Sequence, residues 1–271
     1  MLVKEAQRLV AAGAKELVLV GQDTTAWGED LGMAVGTGLP GLLQMLSETV
    51  GPDVWLRLMY AYPSRVSPAL IETMAALPNV VRYLDVPLQH GSEAVLRRMK
   101  RPHNVDRVHA FIRDLRAAMP GIVLRTSFIA GFPGETEEEF KELLDFAREI
   151  RFDHAGCFTY SRQQWTGAFG MDAQVPDEVK AERRDRFMRQ QQKIAAKQAR
   201  RFIGRTLDLL VEGTGEDEDG APVVAGRTRR EAPEVDGMVF ARGTARVGDK
   251  VPVRIEEASE YDLFGRVLSH R

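Results

Sequence analysis

Cysteine is almost absent from this sequence, since Cys157 is the only one among 271 residues. A single cysteine excludes an internal disulfide and any cluster site built from several thiolates of this chain. Long apolar runs are missing too, because no stretch approaches the roughly 20 apolar residues of a membrane-spanning helix. Lys4, Glu5 and Arg8 interrupt the start where a signal peptide would have its apolar core. We therefore expect a cytoplasmic protein without a membrane partner.

The residue types that often form metal sites or nucleophiles give little signal here. The histidines lack the spacing of metal ligands, and only His90 follows a predicted strand end; the others are His103, His109, His154 and His270. Cys157 lies within a predicted strand, so we interpret it as a small buried apolar residue. Glu135 is interpreted as a first-turn acid that the helix dipole favours.

The net charge of −2 hides an uneven distribution along the chain. Residues 176–205 carry ten Lys/Arg against four Asp/Glu, a net of +6, whereas residues 206–271 carry nine against fourteen, a net of −5. A module that binds RNA through its phosphates is expected to be basic. The acidic C-terminal segment therefore disfavours RNA as a partner.

Helical periodicity alternates with short apolar runs over the first 160 residues. The runs predict five strands, at 17–20, 55–60, 80–86, 122–130 and 155–160. The segments between them predict helices near 2–12, 39–50, 67–77, 92–118 (broken at Arg101-Pro102) and 135–149. Strands and helices that alternate in this way are typical of βαβ units with a parallel sheet or barrel. We therefore predict an α/β partial barrel over residues 1–175.

The C-terminal third has a different pattern. Pro176 begins a predicted connecting helix at 176–202, whose thin apolar stripe indicates a mostly solvated surface. After it come short β-like runs with turn-rich spacers, such as 213–220. This pattern is typical of a small barrel of the oligonucleotide-fold type, which we place at 203–271.

Polar or glycine-containing turns follow all five predicted strands, and in a βα barrel such strand ends hold the ligands. We call these turns the rim; they comprise residues 21–23, 60–64, 87–91, 131–135 and 160–161. Three strands also carry a charge, at Arg57, Asp85 and Arg125, and each buried charge needs a partner. Together they could hold a ligand with a carboxylate and an ammonium group. Alternatively, they pair only with each other and brace the barrel.

Several motifs in order resemble the methylthiotransferase branch of the radical-SAM enzymes. They are LVLVGQDTTAWG (17–28), LRLMYAYPS (56–64), LDVPLQHGSEAVLRRMKR (84–101), LRTSFIAGFPGETEEEF (124–140) and FTYS (158–161). The final segment resembles the TRAM domain of that family. Within the branch, APEVDG (232–237) and EYDLFGRV (260–267) are similar to the enzymes that methylthiolate an aspartate of small-subunit ribosomal protein twelve. A basic ribosomal protein also suits an acidic TRAM domain better than an anionic tRNA does.

The resemblance implies S-adenosylmethionine and [4Fe-4S] clusters as cofactors, with a radical that removes hydrogen from the aspartate. By family analogy, the residues around S-adenosylmethionine are Gln22, Asp23, Ser64, Gln89, Arg125 and Phe132. Arg125 is the leading candidate for the cofactor carboxylate. Arg57 joins this set on the charge argument alone.

Two features depart from the family pattern. The Cys-x-x-x-Cys-x-x-Cys loop and the strand before it do not occur in this sequence, so we expect an N-terminally truncated chain that holds no cluster by itself. Residues 163–166 read Gln-Gln-Trp-Thr where the family has Glu-x-Gly-Thr, and Trp165 is expected to block a positive φ there. Alternative functions are a tRNA adenosine methylthiotransferase and a cluster-free fragment that docks the ribosomal protein. An unrelated aldolase-type barrel is the remaining alternative.

Overall fold

The predicted alternation of helices and strands is present in the computed structural model, which describes residues 1–268. His270 therefore lies outside the described residues. The helices are α1 (Leu2–Ala11), α2 (Gly38–Val50), α3 (Pro68–Ala76), α4 (Glu93–Arg98), α5 (Val105–Ala118), α6 (Glu137–Ile150) and α7 (Asp177–Ala199). The strands of the first domain are β1 (Glu16–Leu19), β2 (Trp55–Leu58), β3 (Tyr83–Asp85), β4 (Val123–Ala130) and β5 (His154–Thr159).

All five strands run parallel, which confirms the predicted α/β fold class. β1 pairs with β2, while β4 lies between β3 and β5. A bridge between Leu56 and Val80 joins the two groups, and the Val81 amide donates to the Leu56 carbonyl at 2.8 Å. The strand ends that form the rim therefore lie at one end of the sheet, as βαβ units require.

Successive side chains along each strand point to opposite faces of the sheet. Leu56 and Leu58 of β2 pack with the helices in the main apolar core. Trp55 and Met59 point to the opposite face, which we call the inner face, and belong to a second apolar cluster. The helices therefore cover one side of the sheet, and the inner face is left for other contacts.

The C-terminal module is a closed five-stranded barrel with a small core of its own. Its strands are β6 (Thr206–Glu216), β7 (Pro222–Arg227), β8 (Val239–Arg242), β9 (Lys250–Ala258) and β10 (Leu263–Val267). The predicted β barrel is thus present. The expected spacer at 213–220 is shorter than predicted, because β6 continues to Glu216 opposite Pro222 of β7.

Most residues of helix α7 are exposed or half-buried, as its polar sequence indicated, but its buried face is wider than the thin apolar stripe and includes polar side chains. Eight of its residues are buried, and Lys180, Arg183, Gln191 and Gln198 are among them. Some of their polar atoms have partners inside the fold: the Gln191 amide donates to the Phe152 carbonyl at 3.1 Å, and Arg183 pairs with Glu135 at 2.9 Å. Hydrophobic periodicity cannot identify a helix face that packs through hydrogen bonds.

The barrel packs against the inner face of the sheet. Leu210 and Ala232 of the barrel share one apolar cluster with Trp55, Tyr83 and Val123, the first residues of β2, β3 and β4. The C-terminal module therefore covers the end of the inner face that lies opposite the rim. No helix within residues 1–268 has the length and apolar character needed to cross a bilayer.

Candidate functional site

The rim turns share an unusual backbone conformation. Tyr60, Gln89 and Gly131 follow β2, β3 and β4, and their φ angles are +57°, +72° and +77°. A side chain in this left-handed region costs roughly 1–2 kcal/mol, so the surrounding structure must hold it in place. Hydrogen bonds do so at Gln89, whose amide donates to the Ser127 carbonyl at 3.0 Å and whose carbonyl accepts from Ile129 at 2.8 Å.

The first two rim turns are joined by charge. The Arg65 guanidinium forms ion pairs with the carboxylates of Asp23 at 2.7 Å and Glu29 at 3.1 Å. Gln22 and Ser64, both predicted to lie near the cofactor, are exposed in these turns. The structure thus places four of the predicted residues, counting Asp23 and the half-buried Gln89, at the rim end of the sheet.

The turn after β4 is rigid because a buried carboxylate holds it. Glu135 accepts from the backbone amides of Gly131 at 2.9 Å and Phe132 at 3.3 Å. Its side chain is fully buried, with Arg183 at 2.9 Å and His90 Nε2 at 3.3 Å. The interpretation of Glu135 as a first-turn acid is wrong, because it precedes the helix N-cap and folds back onto the turn. Phe132 is buried against Tyr160 with a ring separation of 5.2 Å.

Arg125 lies below the rim in a cluster that includes the C-terminal module. Its guanidinium is 3.0 Å from Asp85 and 3.6 Å from Asp236, and the arginine side chain is 18% exposed. Asp236 also accepts from the Tyr83 hydroxyl at 2.7 Å and lies 3.5 Å from His154 Nδ1. We call these five residues the junction cluster. It brings Arg125 and Asp85 together, as the bracing alternative predicts, but Arg125 also pairs with Asp236, so these charges do not pair only with each other. The cluster adds three residues that the sequence analysis missed.

Burial sets the electrostatics of the junction cluster. Desolvation raises the pKa of Asp85 and Asp236 above the usual carboxyl range and raises that of Tyr83 strongly. Burial, reinforced by the positive charge of Arg230, lowers the pKa of His154 to about 4. The imidazole is therefore neutral at physiological pH, next to carboxylates that hold protons more readily than usual.

Arg57 lies outside the junction cluster. Its side chain is completely buried, with Nε 2.7 Å from Glu16, and its other nitrogens reach the carbonyls of Arg229 at 3.2 Å and Thr228 at 3.5 Å. The guanidinium also lies 4.7 Å from the centre of the Tyr83 ring. Two of its nitrogens thus attach the C-terminal module to the sheet and the third pairs with β1, and the structure does not bring Arg57 to the rim.

A large cleft of about 820 Å³ runs beside β1 and α1. Apolar side chains line much of it, including Leu9 and Val20, which are 41% and 66% exposed. Asp23 and Glu29 lie at its rim end. Among the described residues β1 pairs only with β2, so its other edge is open to this cleft.

The donor atoms of this chain do not fit an iron–sulfur cluster. Within residues 1–268 no group of three or more His, Cys, Asp or Glu side chains is placed to hold a metal ion. Cys157 is buried, and desolvation raises the pKa of its thiol to about 12. A thiol with that pKa remains protonated at neutral pH, whereas cluster ligands are thiolates.

The backbone of the loop at 163–166 differs from the conformation that the sequence predicted. Trp165 adopts a φ of +69° although the side chain was expected to block a positive φ. It is 99% exposed, so no packing contact compensates for the backbone strain. The prediction was wrong because the preference against positive φ is a modest energy that the rest of the loop overcomes.

Comparison with protein families gives two matches. Residues 1–147, more than half of the chain, match the model of the radical SAM superfamily. Residues 203–268 match the model of the TRAM domain. The solved structure of the radical SAM enzyme coproporphyrinogen III oxidase from Escherichia coli is similar to this chain, with a TM-score of 0.52 and 17% identity. The similar region covers 75% of this chain and 47% of that protein. This likeness supports the fold alone.

Curated relatives match the chain from end to end. The ribosomal protein uS12 methylthiotransferase RimO of Herpetosiphon aurantiacus is 48% identical over 98% of this chain and 57% of its own length. The protein of the same name from Chloroflexus aurantiacus is 46% identical over 99% of the chain and 58% of its length. These matches confirm the resemblance to the methylthiotransferase branch. The chain spans less than three fifths of the length of these relatives.

Proposed function

Because this chain belongs to the radical SAM superfamily, we propose that it forms the cofactor-binding and client-binding part of a methylthiotransferase for an aspartate of ribosomal protein uS12. The observation that carries this proposal is the match of 48% identity, which includes both the sheet domain and the C-terminal module. S-adenosylmethionine, when bound, supplies the radical chemistry that ordinary acid–base side chains cannot perform.

The residues of this chain fit the cofactor in part. We assign Gln22, Asp23, Ser64 and Gln89 to its surroundings, because the structure holds all four at the rim end. Arg125 is the candidate for the carboxylate, since its guanidinium is partly exposed and Asp85 Oδ2 has no hydrogen bond within the described residues. The planar head of an arginine has five donors, so it can bind a third carboxylate while it keeps the two partners that it already has. Phe132 and Arg57 contribute packing and domain attachment.

The cofactor assignment is tested by titrating S-adenosylmethionine into the full chain by calorimetry. We expect Arg125→Lys, which retains the charge but loses the forked geometry, to weaken binding roughly tenfold, or about 1.4 kcal/mol. Arg113→Lys, on an exposed helical position, is the matched control and should bind like the parent chain. Equal affinity of the Arg125 variant and the parent would remove Arg125 from the site.

The residues of this chain do not supply the thiolates that a cluster needs, so another segment has to provide them. We propose that the cleft beside β1 and α1 receives the segment that carries them, because an open strand edge and exposed apolar residues lie beside Asp23 of the rim. The chain alone is then expected to contain no cluster after anaerobic reconstitution. The cluster content is measured by iron and sulfide analysis and by the absorbance of thiolate–iron bands. About four irons per chain would contradict it.

The C-terminal module is the candidate contact for the client. In residues 206–267, nine Asp/Glu side chains are exposed against four Arg side chains. Arg227 and Arg230 add no positive surface, because both are buried in ion pairs with Glu16 and Glu231. A negative surface attracts a basic ribosomal protein and repels tRNA. Binding of purified uS12 and of tRNA to the chain at two salt concentrations tests this preference. Tighter binding of tRNA would refute it.

A cluster-free module that only docks the ribosomal protein is the alternative that the sequence left open, and none of the matched relatives supports it. The two proposals differ in cofactor binding. S-adenosylmethionine binding that depends on Arg125 supports the enzyme, whereas uS12 binding without any cofactor binding supports the docking module.

A further inference from the structure

The outer surface of the C-terminal barrel has a groove of about 520 Å³ with an aromatic floor. The rings of Phe240 and Phe264 stack there, with centres 5.8 Å apart and planes 18° from parallel. Phe264 is 39% exposed. We call this feature the aromatic groove; it comprises Phe240, Phe264, Glu216, Asp217, Glu256 and Glu257.

The sequence directs both rings outward. Val239 and Ala241 on β8 and Leu263 on β10 are buried in the barrel core, so the alternating Phe240 and Phe264 point to solvent. The β9–β10 register shifts between Phe264 and Gly265, which sets Phe264 opposite Glu257. A Cβ at Gly265 would lie 2.1 Å from the Arg254 carbonyl oxygen, so only glycine fits this close approach.

The wall of the aromatic groove is negative. Four of its side chains are carboxylates, and Arg242 is the one cation that lines it. Arg242 is already paired with Asp217 at 3.0 Å, and Glu256 pairs with Arg266 at 3.1 Å. Glu257 has no ion-pair partner within the described part of the chain. The groove therefore has net negative charge beside an exposed aromatic surface.

These two properties together indicate the ligand class. Exposed aromatic rings on barrels of the oligonucleotide-fold type commonly stack with nucleic-acid bases. Here the carboxylates would repel the phosphates that accompany the bases. An arginine or lysine side chain satisfies both features, because its cation suits the carboxylates and its planar head or aliphatic stem packs over an aromatic ring.

We propose that the aromatic groove binds an arginine- or lysine-bearing segment of a protein client. The identification of that client as uS12 rests on the function proposed above, whereas the chemistry of the groove does not. The groove thus gives the acidic module a defined recognition point rather than a diffuse attraction.

The test measures binding of three fluorescent probes to the full chain by anisotropy: purified uS12, a hexa-arginine peptide and a single-stranded oligouridine. Glu256→Gln/Glu257→Gln and Phe264→Ser are the groove variants. Asp208→Asn/Asp249→Asn removes the same two charges at exposed positions outside the groove and is the matched control. We expect about tenfold weaker binding for each groove variant and less than about twofold for the control. Thermal melts establish that all variants are folded.

The outcomes separate the two proposals. Groove-dependent binding of hexa-arginine without binding of uS12 would leave the groove assignment intact and remove uS12 as the client. Equal weakening by the groove and control variants would overturn the groove assignment in favour of diffuse attraction. Groove-dependent binding of a single-stranded oligouridine would overturn it in favour of nucleic acid. Failure of both cationic probes to bind would also overturn the groove assignment.

Discussion

Acidification should loosen the contact between the two domains through His154. This side chain is 7% exposed, and Nε2 has no hydrogen-bond partner within the described residues. Burial and the nearby positive charge of Arg230 lower the pKa of His154 from 6.5 to about 4. A histidine with a lowered pKa contributes stability that is present above pH 6.5 and is lost as the pH falls through about 4.

The magnitude follows from the difference between the two pKa values. In the unfolded chain His154 takes up its proton near pH 6.5, whereas in the folded protein it stays neutral until about pH 4. Each pKa unit corresponds to about 1.4 kcal/mol, so the unfolded state gains about 2 kcal/mol at pH 5 and about 3 kcal/mol at pH 4. Asp85 and Asp236 act in the opposite direction, because burial raises their pKa values.

Comparison with a variant removes those opposing contributions. Urea unfolding of the parent chain and of His154→Gln, measured from pH 7 to pH 4.5, should give free-energy curves that converge as the pH falls. The parent is expected to lose about 2 kcal/mol more than the variant between pH 7 and pH 5. His103→Gln, at an exposed position, is the control and should follow the parent. Parallel curves for the parent and His154→Gln would refute the argument.

Three further predictions concern single side chains. Arg57→Met leaves the buried Glu16 with one partner fewer and should lower the free energy of unfolding by about 3 kcal/mol in urea titrations; a change below 1 kcal/mol would contradict the buried ion pair. Trp165→Gly relieves the positive φ and should raise that free energy by about 1 kcal/mol, whereas destabilisation would mean that the exposed ring makes contacts. Cys157 should not react with Ellman's reagent at pH 8 until the protein is unfolded, and rapid labelling of the native chain would disprove its burial.

Local patterns in the sequence were sufficient for the order of elements in the first domain. Apolar runs and helical periodicity identified all five strands, because each such pattern reports burial within about ten residues of itself. The burial of Cys157 followed from its position within one of these runs. The rim could also be predicted, since parallel strands necessarily end on the same side.

Contacts between distant segments could not be predicted in this way. The charges of Arg57 and Arg125 indicated that each needed a partner. Glu16 and Asp85 of the first domain supply one each, but the remaining partners belong to the C-terminal module, more than 100 residues away. Asp236 lies in the APEVDG motif, which the sequence linked to a family but not to a contact. Only the docking of the barrel onto the inner face reveals that this carboxylate enters the cluster around Arg125 and His154.

The position of the C-terminal module also limits how a client can reach the rim. Leu210 and Ala232 close the inner face at the first residues of the strands, so a polypeptide that enters from the rim finds no exit at that end. For the function proposed above, we therefore expect the target residue to lie at the tip of a hairpin or tight loop, whose two arms leave on the rim side.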